Sequence, residues 1–395
     1  MPNFEPLQNS IPIAPLKLAS LEGCRDFANL VDKHLSDFRH ENPSHTKDSI
    51  AYRGYLEDSY LIDCCCPRFG SGEAKGILKQ SVRGVDLFIL ADVLNYSLTY
   101  TVCGYENHMS PDNHYQDLKR IISAANGKAR RINVIMPFLY EGRQHKRSKR
   151  ESLDCALALQ ELTRMGVSNI ITFDAHDPRV QNAIPLSGFE SIMPTYQMLK
   201  AMCHTYDDLR IDKHHMMVIS PDEGALNRNI YYSSAMGVDM GMFYKRRDYT
   251  RVVNGRNPIV AHEYLGDSVE GKDVFVADDI IASGDSILDL AHNLKRRKAK
   301  RVFAGATFAF FTSGLEAFDK AYAEGVIDHV FATNLTYTPK EVLERPWFSQ
   351  ADMSKYMAFV IATLNHDQSL SYLLNPWNRI EKLLTKYRAD HPVED

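Results

Sequence analysis

Short apolar runs alternate with helical stretches along most of the chain, and this alternation restricts the possible fold more than any other feature. The strand-like runs read DSYLIDCCC, DLFILA, INVIMPF, NIITFDA, MMVISPD, MGMFYK, DVFVADD and VFAGATFAFF. Between them lie helical stretches such as LDCALALQELTRMG and GALNRNIYYSSAMG, each closed by a glycine suited to a C-terminal cap. Such alternation predicts βαβ units and a mostly parallel sheet. It occurs once up to about residue 190 and again to about residue 345, so we expect an α/β protein with two similar halves.

The composition is that of a soluble globular protein. With 395 residues, of which 44% are hydrophobic, the chain can bury two cores. A net charge of -4 and a pI of about 6.4 give no general attraction to nucleic acid or anionic membrane. The N-terminus lacks the pattern of a signal peptide, and no run is long enough to cross a bilayer, so we expect a cytoplasmic protein. The consecutive Cys64, Cys65 and Cys66 suit neither a disulfide framework nor a zinc site, and we expect reduced thiols buried in a strand.

Residues 274–291, VFVADDIIASGDSILDLA, place two acids at the end of an apolar run and small residues directly after them. Val274 to Ala277 are typical of a buried strand, and the later apolar residues return at helical spacing, which predicts strand, loop and helix. Ligands of open α/β sheets bind beyond the carboxyl ends of the strands, where a helix N-terminus attracts anions. Asp278 and Asp279 are therefore candidate ligand-binding residues, and the open alternative is a pair of capping acids at a sharp turn.

Two further segments place polar residues after strand-like runs. In NIITFDAHDPRVQ, the spacing of Asp174 and His176 puts a carboxylate and an imidazole on the same side, where they could hold a divalent ion or manage a proton. The open alternative is a structural pair, in which Asp174 and His176 only satisfy hydrogen bonds at the end of a strand. In MMVISPDEGALNRN, Asp222 lies near the start of a helix, and helix capping alone would account for it.

Two basic segments point to small phosphorylated ligands. Lys245, Arg246 and Arg247 end a strand and open a long loop that could close over a polyphosphate, although a solvated charge run is the alternative. PFLYEGRQHKRSKRES is the strongest local basic patch, and it lacks the aromatic residues typical of nucleic-acid binding. The sequence contains no Walker-type phosphate loop, no kinase glycine loop and no GxGxxG after the first strand, so a nucleotide would be bound in another way.

Taken in this order, the segments resemble those of ribose-phosphate pyrophosphokinases, also called phosphoribosyl pyrophosphate synthetases. VFVADDIIASGDS is similar to the family's ribose-phosphate-binding loop, FDAHDPRVQ to its metal-binding Asp-x-His strand end, VISPDEGALNR to its Ser-Pro-Asp turn, and YKRR to the start of its catalytic flexible loop. RFGSGEAKGILKQSVRGVDLFIL is similar to its adenine-binding loop and the next strand, RQHKR to its ATP-contacting Arg-Gln, and LNHDQSLSYLL to its C-terminal end. The resemblance covers roughly residues 55 to 374. DDIIASGDS alone would equally suit a phosphoribosyltransferase.

The resemblance implies two phosphoribosyltransferase-like domains, each with a mostly parallel sheet flanked by helices, and an active site between them. Residues 1–54 would be an N-terminal extension. Residues 55–192, completed by residues 357–395, would form the ATP side, and residues 193–356 the ribose 5-phosphate side. The implied reaction is Mg²⁺-dependent transfer of the diphosphoryl group of ATP to the 1-hydroxyl of ribose 5-phosphate. Its products would be AMP and 5-phosphoribosyl 1-diphosphate, used for nucleotide biosynthesis.

Residue roles follow from the matched motifs. The implied catalytic residues are Lys245, Arg247, Arg143 and His176, and Asp174 and His176 would hold Mg²⁺. The implied ATP-binding residues are Phe69, Ser71, Glu73, Arg143 and Gln144, of which Phe69 and Glu73 would serve a neighbouring subunit's site. The implied ribose 5-phosphate-binding residues are Asp222, Asp278, Asp279, Ser283, Gly284, Asp285 and Ser286. The expected partners are ATP, ribose 5-phosphate and further copies of the chain, as dimers that build rings such as a hexamer, with no nucleic acid and no membrane.

The sequence departs from the family pattern at three positions. The family loop usually reads Asp-Asp-x-x-Asp-Thr-[Ala/Gly]-Gly-Thr, whereas Ala282 replaces the third acid and Asp285 the second glycine. Ser71 stands where an adenine-contacting acid is usual. We expect a divergent active enzyme, because Lys245 and the other catalytic positions are kept. A catalytically silent regulatory paralogue and a phosphoribosyltransferase are the alternatives.

Overall fold

The computed structural model describes residues 7, 10–41, 50–247 and 259–391, with the backbone alone at 245–247 and 259–262. Contacts divide the chain into two compact units. Unit 1 consists of the described residues of Met1–Met193, Asn334–Tyr337 and Asp352–Asn375, and unit 2 of those of Pro194–Thr333, Thr338–Ala351 and Pro376–Asp395. Among the described residues, none of the helices combines the length and the apolar character needed to cross a membrane.

Unit 1 combines parallel strands with helices on the sheet faces. Its strands are β1 (Leu16–Ser20), β2 (Leu61–Ile62), β3 (Cys64–Cys65), β4 (Ile77–Leu78), β5 (Asp86–Leu90), β6 (Thr99–Val102), β7 (Tyr105–His108), β8 (Arg131–Ile135), β9 (Asn169–Phe173) and β10 (Gly188–Ile192). Its helices are α1 (Arg25–Glu41), α2 (Pro111–Ala125), α3 (Asp154–Arg164), α9 (Ser354–Asn365) and α10 (Ser371–Leu374).

Within the described residues of unit 1, the main sheet has the order β10-β9-β8-β5-β1-β2, and each neighbouring pair is parallel. Alternate strand residues such as Leu87 and Ile89 join a core with α2 and α3. On another part of the unit, α1 packs against α9, with the rings of Phe38 and Phe359 edge to face at 5.7 Å. Strands covered by helices on both faces read as continuous apolar runs, which explains DLFIL and NIITF.

The two ends of the chain differ from the expected domain boundaries. Within the expected extension of residues 1–54, β1 lies between β5 and β2 in the sheet, and α1 packs beside it. The ladder from Leu16↔Asp86 to Ser20↔Leu90 makes this strand part of unit 1, a role that five residues of sequence could not reveal. At the other end, the described residues 376–391 belong to unit 2, although the sequence placed them with the ATP side.

The cysteine run forms less strand than the sequence predicted. Cys64 and Cys65 form β3, which pairs antiparallel with β4, while Cys66 follows the strand. The three thiols are free, and Cys64 is buried whereas Cys65 and Cys66 are half-buried. Burial raises the pKa of Cys64 to about 11 and that of Cys66 to about 12, so these thiols stay protonated.

Unit 2 is built around a longer sheet. Its strands are β11 (Met216–Ser220), β12 (Asp239–Arg247), β13 (Ile259–Leu265), β14 (Asp273–Ile281), β15 (Arg301–Ala309), β16 (His329–Thr333) and β17 (Phe348–Ala351). Its helices are α4 (Thr195–Thr205), α5 (Leu226–Met236), α6 (Asp285–Arg296), α7 (Glu316–Ala323), α8 (Lys340–Leu343) and α11 (Trp377–Asp390).

Among the described residues of unit 2, the sheet order is β13-β12-β11-β14-β15-β16-β17, and the pairing is parallel except between β12 and β13. Alternate residues of β14 enter two different cores. Phe275 packs with α4, α5 and α11, whereas Val274 and Val276 pack with α6 and α7. The period of two residues shows that helices cover both faces of the sheet, as the sequence predicted.

Candidate active site

The strand order in the sheet of unit 2 reverses between β11 and β14. From β11 the chain passes through α5 to β12, and from β14 it passes through α6 to β15 on the other side. In the described residues the two strands pair from Met216↔Asp273 to Val218↔Phe275, while β14 continues to Ile281. Such a switch point leaves a crevice at the carboxyl ends of the strands, which is where open α/β sheets bind ligands.

Asp278 and Asp279 lie inside β14 and not in the loop that the sequence indicated. The strand extends past Ala277 because β15 continues to pair with it, up to Ile281↔Ala309. The Asp278 side chain is 37% exposed, whereas Asp279 is buried. The acid pair is thus held by regular backbone at the crevice, which argues against two capping acids at a turn.

The electrostatics of the acid pair favour the protonated form of Asp278. Burial and the charge of Asp279 raise the pKa of the Asp278 carboxyl well above its usual range. Arg228 of α5 opposes this rise, with Nη1 lying 3.6 Å from Oδ1 of Asp278. A pair of carboxyls with one proton can both donate and accept hydrogen bonds, which suits the adjacent hydroxyls of a sugar.

Residues 282–284 form the turn that leads into α6, and the helix begins at Asp285. Gly284 has a φ of +94°, and a Cβ there would clash with the ring of Phe318, so glycine is required. Ser283 donates from Oγ to Oδ2 of Asp285 at 2.9 Å, and the Asp285 N–H donates back to that hydroxyl at 3.4 Å. Asp285 and Ser286 are exposed at the helix N-terminus. This end of α6 can attract an anion, but the carboxylate of Asp285 stands at the same end.

The Ser-Pro-Asp turn lies at the carboxyl end of β11. Oδ1 of Asp222 accepts the backbone N–H groups of Gly224 at 2.9 Å and Ala225 at 3.2 Å, just before α5 begins. These bonds close the turn before α5, and the N-cap residue of the helix, Ala225, has no side-chain cap hydrogen bond. β11 lies beside β14 and is parallel to it, so the turn that follows β11 and the acid pair in the last residues of β14 lie at the same edge of the sheet.

The predicted catalytic cations lie at the end of β12. The backbones of Lys245 and Arg247 pair with His262 and Ile259 of the antiparallel β13. The strand therefore extends through the basic run that the sequence predicted as its end. The side chains of Lys245 and Arg247 and all of residues 248–258, where the sequence predicted the start of a flexible loop, lie outside the described part of the chain.

In unit 1, the predicted metal ligands follow β9 but do not alternate as the spacing suggested. Asp174 has a φ of +41° and its N–H donates to Ile192 at 2.9 Å, so the extended backbone ends at Phe173. The Asp174 side chain is buried and that of His176 is exposed. The structure brings His176 close to a different residue, because its ring centroid lies 5.3 Å from that of His145.

The predicted ATP-contacting residues follow β8, the neighbour of β9. Arg143 is exposed, and Gln144 donates from Nε2 to the Ser152 carbonyl at 2.8 Å. His145 Nε2 lies 3.5 Å from Oδ2 of Asp177, and burial lowers the pKa of this histidine. Arg143, Gln144, His145 and His176 therefore share one edge of the unit 1 sheet.

The predicted adenine loop is carried by the β3–β4 hairpin and not by the main sheet. Phe69 is 52% exposed, and its backbone N–H donates to the Glu73 carbonyl at 2.7 Å. Ser71 donates from Oγ to Oε2 of Glu73 at 3.0 Å. The loop presents an aromatic face with polar groups beside it, and this is a suitable surface for a nucleobase.

The residues of these edges fit Mg²⁺ better than a metal that needs a protein cage. Within the described residues, no group of three or more histidine, cysteine or acidic side chains could hold a metal ion. Mg²⁺ keeps several waters and is usually bound through one or two protein ligands and the phosphates of a substrate. At this edge the family resemblance assigns Mg²⁺ to the exposed imidazole of His176 and the buried carboxylate of Asp174, of which the carboxylate is the oxygen ligand that Mg²⁺ prefers.

Comparisons with known proteins decide the family. Residues 16–166 match the N-terminal domain of ribose phosphate pyrophosphokinase, and residues 192–333 match the phosphoribosyl transferase domain. The chain is 30% identical over 330 residues to the ribose-phosphate pyrophosphokinase of Vibrio cholerae, covering 82% of this chain and 94% of the relative. The chain belongs to the ribose-phosphate pyrophosphokinase family. This membership confirms the resemblance and the enzyme class predicted from the sequence.

Other ribose-phosphate pyrophosphokinases give the same result. That of Chromobacterium violaceum is 28% identical over 311 residues, with 78% of this chain and 86% of the relative covered. The crystal structure of phosphoribosylpyrophosphate synthetase from Mycobacterium smegmatis has a TM-score of 0.69 and covers 89% of this chain and 99% of that one. At 20% identity this likeness concerns the fold, and it confirms the predicted fold class.

The sequence reasoning missed two residues that contact β14 next to the acid pair. Arg228 lies beside Asp278, and Asn229 hydrogen-bonds both backbone groups of Ala277. Arg228 ends the stretch that resembles the Ser-Pro-Asp turn of ribose-phosphate pyrophosphokinases, and Asn229 is the next residue. Helical spacing was the available signal, because Asn229 follows the buried Ala225 by four residues and so lies on the same helix face.

Proposed function

We propose that this ribose-phosphate pyrophosphokinase homologue uses Mg²⁺ and ATP to convert ribose 5-phosphate into 5-phosphoribosyl 1-diphosphate and AMP. The observation that carries the proposal is the carboxyl end of β14, where Asp278 and Asp279 precede a glycine turn and the N-terminus of α6. This order places groups for sugar hydroxyls next to a site for an anion. A ribose that carries a phosphate offers the same two features.

In unit 2, the acid pair would bind the ribose hydroxyls and hold the sugar in one orientation. The backbone of Ser283 to Ser286 would receive the 5-phosphate at the α6 N-terminus, and Asp222 would add an acceptor at the end of β11. These contacts orient the 1-hydroxyl for transfer. Orientation of this kind supplies much of the rate enhancement when the protein forms no covalent bond to the reacting group.

The transfer step needs positive charge more than a protein nucleophile. The oxygen of the 1-hydroxyl would attack the β-phosphorus of ATP, and the bond from that phosphorus to the α-β bridging oxygen would break. AMP then leaves with the bridging oxygen, and the proton of the hydroxyl is lost to solvent or a nearby base. Lys245, Arg247 and Arg143 would neutralise the charge on the transferring group, as oriented cations do in phosphoryl transfer.

On the ATP side, Gln144 would assist Arg143, and the exposed Phe69 would stack on adenine beside Ser71 and Glu73. His176 and Asp174 would hold Mg²⁺, which supplies charge neutralisation of the phosphates when bound. Mg²⁺ dependence and assembly into dimers and rings stay predictions of the family resemblance, and a cytoplasmic location stays a prediction from the sequence pattern.

The test mixes purified protein with Mg²⁺, ATP and ribose 5-phosphate and follows AMP and phosphoribosyl diphosphate by chromatography. We expect equal amounts of both products. Lys245→Ala should lower turnover by about three orders of magnitude, because a cation beside the transferring group acts mainly on the transition state. The control is Lys320→Ala on α7, whose side chain is 75% exposed and lies outside the proposed site. Near-normal turnover of the Lys245 variant would reject the role given to the loop.

A catalytically silent regulatory paralogue is the second candidate. The observation that favours it is the carboxylate of Asp285, which is hydrogen-bonded to Ser283 at the end of α6 where a phosphate would bind. This candidate predicts ATP binding without release of AMP at any Mg²⁺ concentration. Release of AMP in step with phosphoribosyl diphosphate would reject it.

A further inference from the structure

The side chain of Asn229 takes the place of a neighbouring strand beside Ala277. Its Nδ2 donates to the Ala277 carbonyl at 2.8 Å, and its Oδ1 accepts the Ala277 N–H at 3.0 Å. The side chain is completely buried, with 0% exposure. A carboxamide carries a donor group, NH2, and an acceptor oxygen at the right spacing for a peptide group, so it can satisfy both backbone groups at once.

The Ala277 backbone needs this side-chain partner because β11 and β14 separate at the crevice. Within the described residues, their last ladder pair is Val218↔Phe275, two residues before Ala277. Buried backbone groups without partners would cost stability. At Asp279, the next residue on this edge, the N–H donates to Oδ1 of Asp278 at 2.9 Å. Side chains thus replace the missing strand and leave the crevice open.

Asn229 also connects this part of β14 to the other elements of the proposed ribose site. Its Nδ2 lies 2.9 Å from the Ala225 carbonyl and 3.5 Å from Oγ of Ser220, at the two ends of the Ser-Pro-Asp turn. Ser220 in turn donates to the Asp222 carbonyl at 2.8 Å. One buried side chain therefore joins the start of α5, the end of β11 and the residue that precedes the acid pair.

We propose that Asn229 is a positioning residue for the ribose-binding carboxylates Asp278 and Asp279. It acts through the backbone of Ala277, and we assign it no contact with the substrate. The inference rests on the proposed function, because it takes ribose 5-phosphate as the ligand of the acid pair. It adds a residue outside the set predicted from the family's motifs. Loss of the carboxamide frees the backbone next to the pair while both acids remain.

The first experiment measures amide hydrogen exchange and needs no activity. In Asn229→Ala, the Ala277 amide should exchange at least about tenfold faster than in the wild type, which corresponds to ~1.4 kcal/mol of lost protection. Amides of β15 should be unaffected. The matched control is Asn227→Ala, because Asn227 is exposed on the same helix. Equal exchange of the Ala277 amide in all three proteins would overturn the backbone contact on which the proposal stands.

The second experiment measures binding by calorimetry, apart from turnover. Asn229→Ala should raise the Kd of ribose 5-phosphate about tenfold, equivalent to ~1.4 kcal/mol, and change the Kd of ATP by less than about twofold. Asn227→Ala should change neither constant. An equal loss of affinity for ribose 5-phosphate and ATP would show a general structural defect and overturn the positioning role. An unchanged Kd for ribose 5-phosphate would do the same.

A second uncharged variant, Asn229→Ser, covers the case in which Asn229→Ala does not fold. Its hydroxyl is a short polar group at the buried position and adds no charge beside the acid pair. We expect the Ala277 amide to exchange faster than in the wild type and the Kd of ribose 5-phosphate to rise by about threefold. Wild-type affinity in this variant would overturn the positioning role. If the wild type binds ribose 5-phosphate but releases no AMP, the proposed reaction fails while this binding test still decides on Asn229.

Discussion

Asp285 is the residue at which this chain departs most from the family's ribose-phosphate loop. Its exposed carboxylate stands at the start of α6, where it interacts favourably with the helix dipole and accepts the hydroxyl of Ser283. A phosphate at the same helix end would gain from that dipole but be repelled by the carboxylate. The same charge therefore stabilises the helix and opposes the proposed substrate.

We predict that Asp285→Asn improves binding of ribose 5-phosphate. Removing one negative charge about 4 Å from a phosphate removes ~1 kcal/mol of repulsion in water, so KM should fall about threefold to tenfold. Steady-state kinetics at fixed ATP measures the change. Asp289→Asn is the control, since Asp289 is exposed on the same helix one turn later. The same fall of KM in both variants would mean that net charge, and not the phosphate turn, is responsible.

Among the elements, α11 has a clear structural role although it follows the part of the chain that resembles the family. Ile380 and Leu384 enter the core formed with α4 and α5. Tyr387 accepts the Leu209 N–H at 3.0 Å and donates to the Tyr206 carbonyl at 2.8 Å. The helix therefore satisfies backbone groups of the α4–β11 connection and stabilises unit 2.

We predict that Tyr387→Phe lowers the free energy of unfolding of unit 2 by about 1–2 kcal/mol, because it leaves the buried Leu209 N–H without its acceptor. Urea denaturation followed by circular dichroism measures the change. The control is Tyr322→Phe, whose ring is 39% exposed on α7. Equal stability of the two variants would show that α11 contributes through its apolar contacts alone.

For the whole molecule, the two units contain buried groups whose ionisation acts on stability in opposite directions. In unit 1, burial raises the pKa of Asp92 to about 6, against hydrogen bonds from the backbones of Leu94 and Tyr337 and the hydroxyl of Thr336. In unit 2, burial lowers the pKa of His329 to about 4. The stabilisation of the folded state by protonated Asp92 is present below the residue's unfolded pKa near 3.8 and is lost as pH rises through 6. The His329 contribution is present above 6.5 and is lost as pH falls through 4.

We predict that two substitutions change the pH dependence of the two units in opposite senses between pH 4 and 6.5. In unit 1, the free energy of unfolding should fall by about 2 kcal/mol as pH rises, and Asp92→Asn should remove this fall. In unit 2, the free energy of unfolding should fall by a similar amount as pH falls, and His329→Asn should remove that fall. Hydrogen exchange of β5 and β16 amides reports each unit separately. An unchanged pH profile for β16 in the His329 variant would contradict the prediction for unit 2.

The class of fold and the sheet edge that carries the proposed ligand residues could be predicted from local sequence. Apolar runs bounded by polar turns predicted βαβ units, and acids after such runs predicted an edge of the sheet, because burial on both faces requires this pattern. The structure has Asp222 and Asp278 at neighbouring strand ends, as this reasoning required. Family membership then confirmed the resemblance that the same motifs carried.

Other features depended on partners that are distant in sequence. β1 is an interior strand because β5 and β2 pair with it on either side. β14 continues past the acid pair because β15 pairs with it up to Ile281. The left-handed backbone of Asp174 ended the alternation that spacing alone assumed, and Asn229 gained its role from a gap between two strands. Local sequence specifies which faces are buried, whereas strand length, strand order and the contacts of a side chain depend on which residues the fold brings together.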